Sequence, residues 1–261
     1  MSTVDKALNL LNYFTLTNPE WGLSDLARAA ALDKATILRL LRSMERHDLI
    51  EQDAQSKKFR LGKAFLTLAR VREQSFPLAT IVVKWLERIA AETGETAHVS
   101  LGTERAMTTI GISEPQRSAR VSVDPSEPLP FHATASGMVF LAFGPPRLRE
   151  SILSAGNLER FTPMTETSVE GFRNLLVDVR KRGFAVSDQA FEAETFGIAV
   201  PFFDSSAAAL GAIAVATPIM RMTRELKHRI EACLMKTSLE IAASLGSSLP
   251  QEFEAVARKY Q

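Results

Sequence analysis

The stretch Leu23 to Leu49, LSDLARAAALDKATILRLLRSMERHDL, limits what this chain can become more than any other feature, because it reads as two short helices held at a turn. Ser24 with Asp25 is expected to start the first helix, a hydroxyl accepting an orphan N–H and an acid favouring the positive end. Leu26, Ala27 and Ala30 then share one face. Asp33 is expected to accept backbone N–H bonds and begin a second helix at Lys34. There Ile37, Leu40, Leu41 and Met44 recur at helical spacing, which buries one stripe. The opposite face holds Lys34, Ala35, Thr36, Leu38, Arg39, Arg42, Ser43 and Arg46. Short hydroxyls and guanidinium groups on one helix suit a major groove, where Arg can bind guanine bidentately. On spacing alone the same pattern fits an amphipathic hairpin whose charged face is merely solvated.

The next residues tip that balance. Residues 49–53 (LIEQD) and 58–61 (KFRL) read as two short strands joined across 54–57, a hairpin whose tip carries Lys57, Lys58 and Arg60. Helix, turn, helix and basic hairpin together make a winged helix-turn-helix, in which the hairpin tip grips phosphate. Thr36, Arg39 and Arg42, flanked by Lys34 and Ser43, are then the expected base-reading side chains. Lys57, Lys58 and Arg60 are the expected phosphate ligands. Residues 1–75 hold 12 Lys+Arg against 9 Asp+Glu, and the rest of the chain 19 against 21. An asymmetry of that sign fits a nucleic-acid-facing module on a carrier that is not.

Elsewhere the pattern is read in chain order. Thr3 can cap a first helix in which Val4, Ala7, Leu8, Leu11 and Phe14 form an apolar stripe, expected to pack behind the helical hairpin. Residues 15–22 (TLTNPEWG) read as a polar, turn-rich connection. After the wing, Gly62 punctuates and residues 63–73 read as a helix, broken at 75–77, where the domain boundary is placed. Residues 78–93 form an amphipathic helix ended by Gly94. Strands are expected at 97–101, 107–112 and, from the alternation in ARVSV, 119–123. Helical patterns return at 136–143, 145–155 and 169–182, and strand patterns at 184–186, 198–203 and 210–216. A last long helix, 223–245, ends at Gly246, and residues 251–261 are expected to be a short, loosely held tail. Strands of this kind with helices at both ends of the segment argue an α+β domain, a sheet with helices packed against it.

With these elements placed, VDKALNLLNYF, LSDLARAAALDKATILRLLRSMERHDLI and FRLGKAFLTLA resemble the DNA-binding half of the isocitrate lyase regulator (IclR) family of bacterial transcription factors. The similarity continues through GETAHVSLG, LPFHATASGMVFLAF, VRKRGFAV and GIAVPFFDSSAAALGAIAVATP, nearly the whole chain. The resemblance implies a winged helix-turn-helix over 1–62, a linker helix over 63–77 that helps pair two subunits, and a GAF-like effector-binding domain over 78–249, with 250–261 as tail. It also implies binding of a double-stranded operator by a homodimer or dimer of dimers.

A ligand site is suggested by LPFHATASGM, residues 129–138, where a loop with Pro130 and His132 runs into small residues opening a helix. Exposed N–H groups at a helix start form an anion site, and small side chains let a carboxylate approach. The same residues fit a tight helix–sheet contact. The resemblance adds that, in members binding small 2-oxo acids, loop amides at the positions of Ala135 and Ser136 contact the ligand. A gapless match places Ser187 where those members have an acidic residue, with Asp188 beside it, and Gly197 where a cysteine stands. Ala214 and Ala216 replace two serines. Smaller, less polar contacts imply a larger acid with an apolar or aromatic body, directed towards Thr195, Gly197, Ala214 and Ala216. An undersized ligand with waters filling the gap is the alternative. Val121 is a further wall candidate, and His132 either pairs with the ligand or holds its loop.

Other chemistries find little support. His98, His132 and Cys233 lack metal-ligand spacing, Ser136 sits in no G-x-S-x-G elbow, and no phosphate-binding glycine loop occurs. No cofactor and no catalysis are expected. No apolar run approaches the ~20 residues of a membrane span, and no signal peptide is visible. With Cys233 as the single cysteine, a reducing cytoplasm is the expected setting. The rival reading is a DNA-binding architectural protein whose second domain only oligomerises.

Overall fold

The structure, a computed structural model, describes residues 2–15, 17–75 and 78–260. The chain divides into two compact units, Met1–Leu78 and Ala79–Gln261.

The first unit begins with α1, Thr3–Leu11. Its cap is Ser2 rather than Thr3: the Ser2 hydroxyl accepts from the Asp5 amide at 3.1 Å and the Asp5 carboxylate from the Ser2 amide at 2.8 Å, a reciprocal capping box. The expected stripe is also corrected. Leu10 and Phe14 are buried, whereas Val4 and Leu8 are 65 % and 53 % exposed. Strand β1, Glu20–Trp21, lies where a turn-rich connection was expected. Helix α2, Leu23–Ala29, is entered from Gly22 without a side-chain cap, so Ser24 stands inside its first turn and caps nothing. The turn after it places Ala31 at φ +51° and closes with the Leu32 amide on the Ala27 carbonyl at 3.1 Å. Asp33 then caps α3, Lys34–Glu45, accepting from the Thr36 amide at 2.8 Å. Leu26, Ile37, Leu40, Leu41 and Met44 bury against Leu10, Phe14, Ile50 and Phe59.

Strands β2, Ile50–Gln52, and β3, Phe59–Leu61, form the wing, and β1 joins as the third strand in the order β1-β3-β2. Helix α4, Ala64–Ser75, follows and leaves Leu66, Leu68 and Val71 exposed.

In the second unit a five-stranded antiparallel sheet runs β5-β4-β8-β7-β6. Its strands are β4, Thr96–Gly102; β5, Met107–Ser113; β6, Ala185–Asp188; β7, Thr195–Phe203; and β8, Ala209–Pro218. Helix α5, Leu78–Thr93, stops at Gly94, whose φ of +73° a side chain rarely adopts. Helix α6, Ala135–Phe143, is buried at every residue and packs on β6, β7, β8 and β4. Beside it come α7, Pro146–Ala155, and α8, Val169–Arg182. Helix α9, Arg224–Leu245, covers β7 and β8, and its Glu240 pairs with Arg88 of α5 at 2.5 Å. Among the described residues no helix is long and apolar enough to cross a membrane.

Two expectations fail here. Residues 119–123 are not a strand: the Val121 carbonyl is held by the Thr96 hydroxyl at 2.6 Å, and Glu114 accepts from Arg120 and Ser122, so the segment is tied as an irregular loop instead of laddered. Nor is the C-terminal segment a loose tail. Helix α10, Gln251–Ala257, sinks Phe253 fully between Phe143 and Phe203, with ring centroids 5.7 and 4.9 Å away. Arg180 of α8 pairs with Glu252 at its start. Truncating so buried an aromatic leaves a cavity that packing cannot collapse, so Phe253→Ala should lower stability by about 3–5 kcal/mol in chemical denaturation. A change below about 1 kcal/mol would restore the loose-tail reading.

Candidate functional site

On the first unit, α3 turns its polar face outwards. Lys34, Arg39, Arg42 and Arg46 are exposed, and Thr36 and Ser43 half-buried. The side chains of Lys34, Arg39, Lys57 and Lys58 have no hydrogen-bond or ion-pair partner among the described residues, so each is available to a polyanion. Lys57 and Lys58 stand on a tip fixed by Asp53, whose Oδ1 accepts from the amides of Gln55 and Ser56 at 3.1 and 2.7 Å. Lys57 itself takes φ +59°.

Two expected contacts are already engaged. Arg42 bridges α3 to β2, donating to Glu45 at 2.7 Å and Gln52 at 3.0 Å. Arg60 is not at the tip: it lies in β3 and donates from Nε to Glu51 at 2.6 Å, with Glu20 at 3.9 Å, stitching the three wing strands. Exposed pairs of this kind are worth at most about 1 kcal/mol each, so they orient these guanidiniums more than they stabilise the wing.

On the second unit, a cavity of about 120 Å³ lies between the sheet, the start of α6 and the 114–134 loop. Antiparallel register builds its floor. Ser187, Gly197 and Ala216 stand in one cross-strand row that ends at Thr96, and His98 and Ala214 stand together in the row two residues along. All of these except Thr96 line the cavity, with Ala135, Ser136, Val121 and Thr195. Gly197 matters by size: a Cβ there would meet Ala135 Cβ at 3.6 Å, ordinary contact, so hydrogen at this position creates room rather than relieving a clash.

The start of α6 forms the cavity's polar end. The Thr134 hydroxyl accepts from the Gly137 amide at 3.1 Å, and Thr134 itself donates to the Pro130 carbonyl at 2.8 Å. Gly137 sits so close to Phe131, 2.3 Å from its Cα to a notional Cβ, that no side chain fits. The amides of Ala135 and Ser136 find no protein acceptor among the described residues, although both residues are buried. Unpaired buried N–H groups at a positive helix end call for an acceptor.

Other side chains complete or leave the site. The Ser187 hydroxyl donates to the Ala133 carbonyl at 2.7 Å, tying β6 to the loop before α6. Asp188 points the opposite way, exposed and bonded to the Gln189 amide nitrogen, because alternation along β6 aims only Ser187 at α6. His132 is not a wall residue either: its Nε2 meets the Glu159 carbonyl at 2.8 Å and its ring packs against Phe161 and Phe172, so it holds the loop. Lining residues the sequence reasoning missed are His98, Ser122, Val123, Asp124, Glu127, Leu129, Thr134, Phe191 and Glu192. Alternation in AHVSLG would have placed His98 on the face of Thr96; the loop residues follow no period.

His98 lies with Nε2 3.5 Å from the Ser136 hydroxyl and Nδ1 unpartnered. Burial pushes its imidazole down from 6.5 to about 4, so it is neutral at pH 7. Elsewhere, burial raises the Cys233 thiol to about 12, which leaves it unreactive. Because the folded pKa of His98 is below the unfolded one, the unfolded chain binds the extra proton, and stability falls as pH drops from about 6.5 towards 4. The loss across that window is roughly 3 kcal/mol. His98→Gln should flatten this limb in denaturation at pH 7, 5.5 and 4.5, and an unchanged limb would contradict the assignment.

Known proteins agree with both halves of this arrangement. Residues 3–54 match the IclR helix-turn-helix domain, and residues 73–243 the bacterial transcriptional regulator IclR C-terminal domain. The chain is 25 % identical to the HTH-type transcriptional regulator XynR of Escherichia coli (strain K12), over 94 % of this chain and 98 % of that protein. It superposes on an IclR-type protein from Silicibacter sp. TM1040 with a TM-score of 0.89 at 38 % identity, covering 97 % of this chain and 99 % of that one. An IclR homolog from Microbacterium hydrocarbonoxydans, complexed with 4-hydroxybenzoate, superposes with a TM-score of 0.78 at 25 % identity, covering 95 % and 100 %. With a free basic face on a winged helix-turn-helix and a ligand-sized cavity in the second unit, the chain belongs to the IclR family of bacterial transcriptional regulators.

Proposed function

We propose that this regulator is a cytoplasmic repressor that binds a near-palindromic operator as a dimer or dimer of dimers, and changes its occupancy when a small carboxylic acid with an apolar or aromatic body enters the second unit. The observation that carries the reading is the pair of buried amides at Ala135 and Ser136, acceptorless among the described residues, at a cavity whose sheet side is opened by Gly197, Ala214 and Ala216. Gly197, Ala214 and Ala216 leave the space beyond those amides open, and the relative carrying 4-hydroxybenzoate supports a ring-sized acid. Repression is favoured by a relative named the transcriptional repressor IclR of Escherichia coli, 25 % identical to this chain. The cavity also weighs against a purely architectural second domain, which would close such a void for the packing it offers.

In the first unit, Arg39 reads base edges with Thr36 and Lys34, while Lys57 and Lys58 hold phosphate from the wing. Arg42 and Arg60 support this role by bracing α3 and the wing, and a phosphate that displaces their acidic partners recruits them as well. Symmetric pairing of subunits presents two such helices to two half-sites. The exposed apolar residues Val4 and Leu8 on α1, and Leu66, Leu68 and Val71 on α4, are the surfaces assigned to that pairing. Coupling of about 1–3 kcal/mol between ligand and DNA changes occupancy several-fold.

On an operator recovered by in vitro selection, Arg39→Ala should cost about 1–3 kcal/mol and relax preference at particular base pairs. Lys58→Ala should weaken selected and random DNA alike and reduce the salt slope by about one. Equal losses on both DNAs from both variants would refute this division of roles. In the second unit, Gly197→Cys places a thiol in the free volume. It should leave the melting temperature of the unliganded chain nearly unchanged while weakening benzoate about tenfold or more, read by calorimetric titration. Undiminished benzoate affinity would place the ring elsewhere.

A further inference from the structure

The cavity is electrically lopsided. Its inner end is neutral, made of the Ala135 and Ser136 amides and an uncharged His98. Its outer wall carries three carboxylates, Asp124 and Glu127 from the 114–134 loop and Glu192 from the turn between β6 and β7. Glu127 and Glu192 are exposed and Asp124 half-buried, so they stand towards the mouth while Ala135 and Ser136 stand within. Among the described residues no Lys or Arg lines the cavity.

These acids are not neutralised locally. The Ser126 amide and hydroxyl donate to one oxygen of Asp124, at 2.8 and 2.7 Å, holding its carboxyl below the usual range and leaving the second oxygen unengaged by them. Thr195 donates to one oxygen of Glu192 at 2.8 Å. Glu127 has no side-chain partner among the described residues. The nearby guanidinium of Arg120, on the rim of an adjoining groove shared with Glu192, is committed to Glu114 at 2.6 Å and to the Arg117 carbonyl.

A ligand spanning this space meets hydrogen-bond donors at one end and acceptors at the other. Building on the acid site proposed above, we propose that the effector is an amphoteric acid, with a carboxylate on the Ala135 and Ser136 amides and a cationic amine at its far end, facing Asp124, Glu127 and Glu192. The ammonium group supplies three donors to oxygens that lack them, and offsets the repulsion that a plain acid feels on passing the mouth. A second carboxylate at the far end would face three like charges, a repulsion that discriminates against such a ligand.

The test is a matched series titrated into the full chain by calorimetry at low salt: benzoate, 4-(aminomethyl)benzoate, terephthalate and benzylamine. The account expects 4-(aminomethyl)benzoate to bind about tenfold or more tighter than benzoate, and terephthalate about tenfold or more weaker. Glu127→Gln/Glu192→Gln should narrow the differences among the three acids without changing the melting temperature of the unliganded chain. Terephthalate equal to or tighter than benzoate, or an aminomethyl group that gains nothing, overturns the amphoteric reading and leaves the acid site standing. Benzylamine matching 4-(aminomethyl)benzoate shows that the carboxylate is not read, which overturns the acid site itself. Absence of binding across the series overturns both.

Discussion

Everything in the second unit is arranged around the first turn of α6. A helix start leaves amides unpaired, and in water that is harmless; here the turn is buried on all sides, so each amide must be answered. Thr134 answers one through its hydroxyl, and the absence of a side chain at Gly137 lets the turn press against Phe131. Two remain, at Ala135 and Ser136; of the sheet residues around the cavity, Gly197, Ala214 and Ala216 have no polar side-chain atom, Ser187 donates to the Ala133 carbonyl and His98 lies against the Ser136 hydroxyl. A fold optimised for packing alone would place a methyl or hydroxyl there. The space and the two unpaired amides leave a place for an acceptor to complete the turn.

The first unit follows the opposite logic, with its polar face pre-ordered and its free cations left outside. The left-handed turn at Ala31 and the Asp33 cap fix where α3 begins, which fixes the heading of Arg39. Arg42 and Arg60 contribute by staying home: one ties α3 to the wing and the other ties the wing strands together. Rigid presentation lowers the ordering penalty of any later contact, and Arg39, Lys57 and Lys58 keep their charges without a side-chain partner among the described residues.

What the sequence made legible follows from where burial repeats. α5, α8 and α9 bury apolar residues at helical spacing and their limits were readable within a residue, as was the start of α3 at Lys34. The small residues of the cavity, Ala135, Ser136, Gly197, Ala214 and Ala216, were legible through the family resemblance; their type alone fitted a tight helix–sheet contact equally well. Misreadings arose where pattern and environment part. ARVSV alternates as a strand does, yet Thr96 and Glu114 hold its polar groups in a loop. Val4 and Leu8 repeat at helical spacing, yet they lie on the outside of their own unit. Residues 251–257 are too short a run to announce burial, and Phe253 alone decides it. Asp188 was misplaced by one residue of strand alternation, and the acids of the mouth come from loops that no period governs.

The central claim, that the Ala135 and Ser136 amides await a carboxylate, is open to one direct measurement. In the amide spectrum of nitrogen-labelled full-length protein titrated with benzoate, the account predicts that the amide protons of Ala135 and Ser136 move downfield together and saturably. The Gly137 amide, already held by Thr134, should move less. Saturable binding that leaves Ala135 and Ser136 unmoved, or no binding up to the solubility of the acid, would contradict the account.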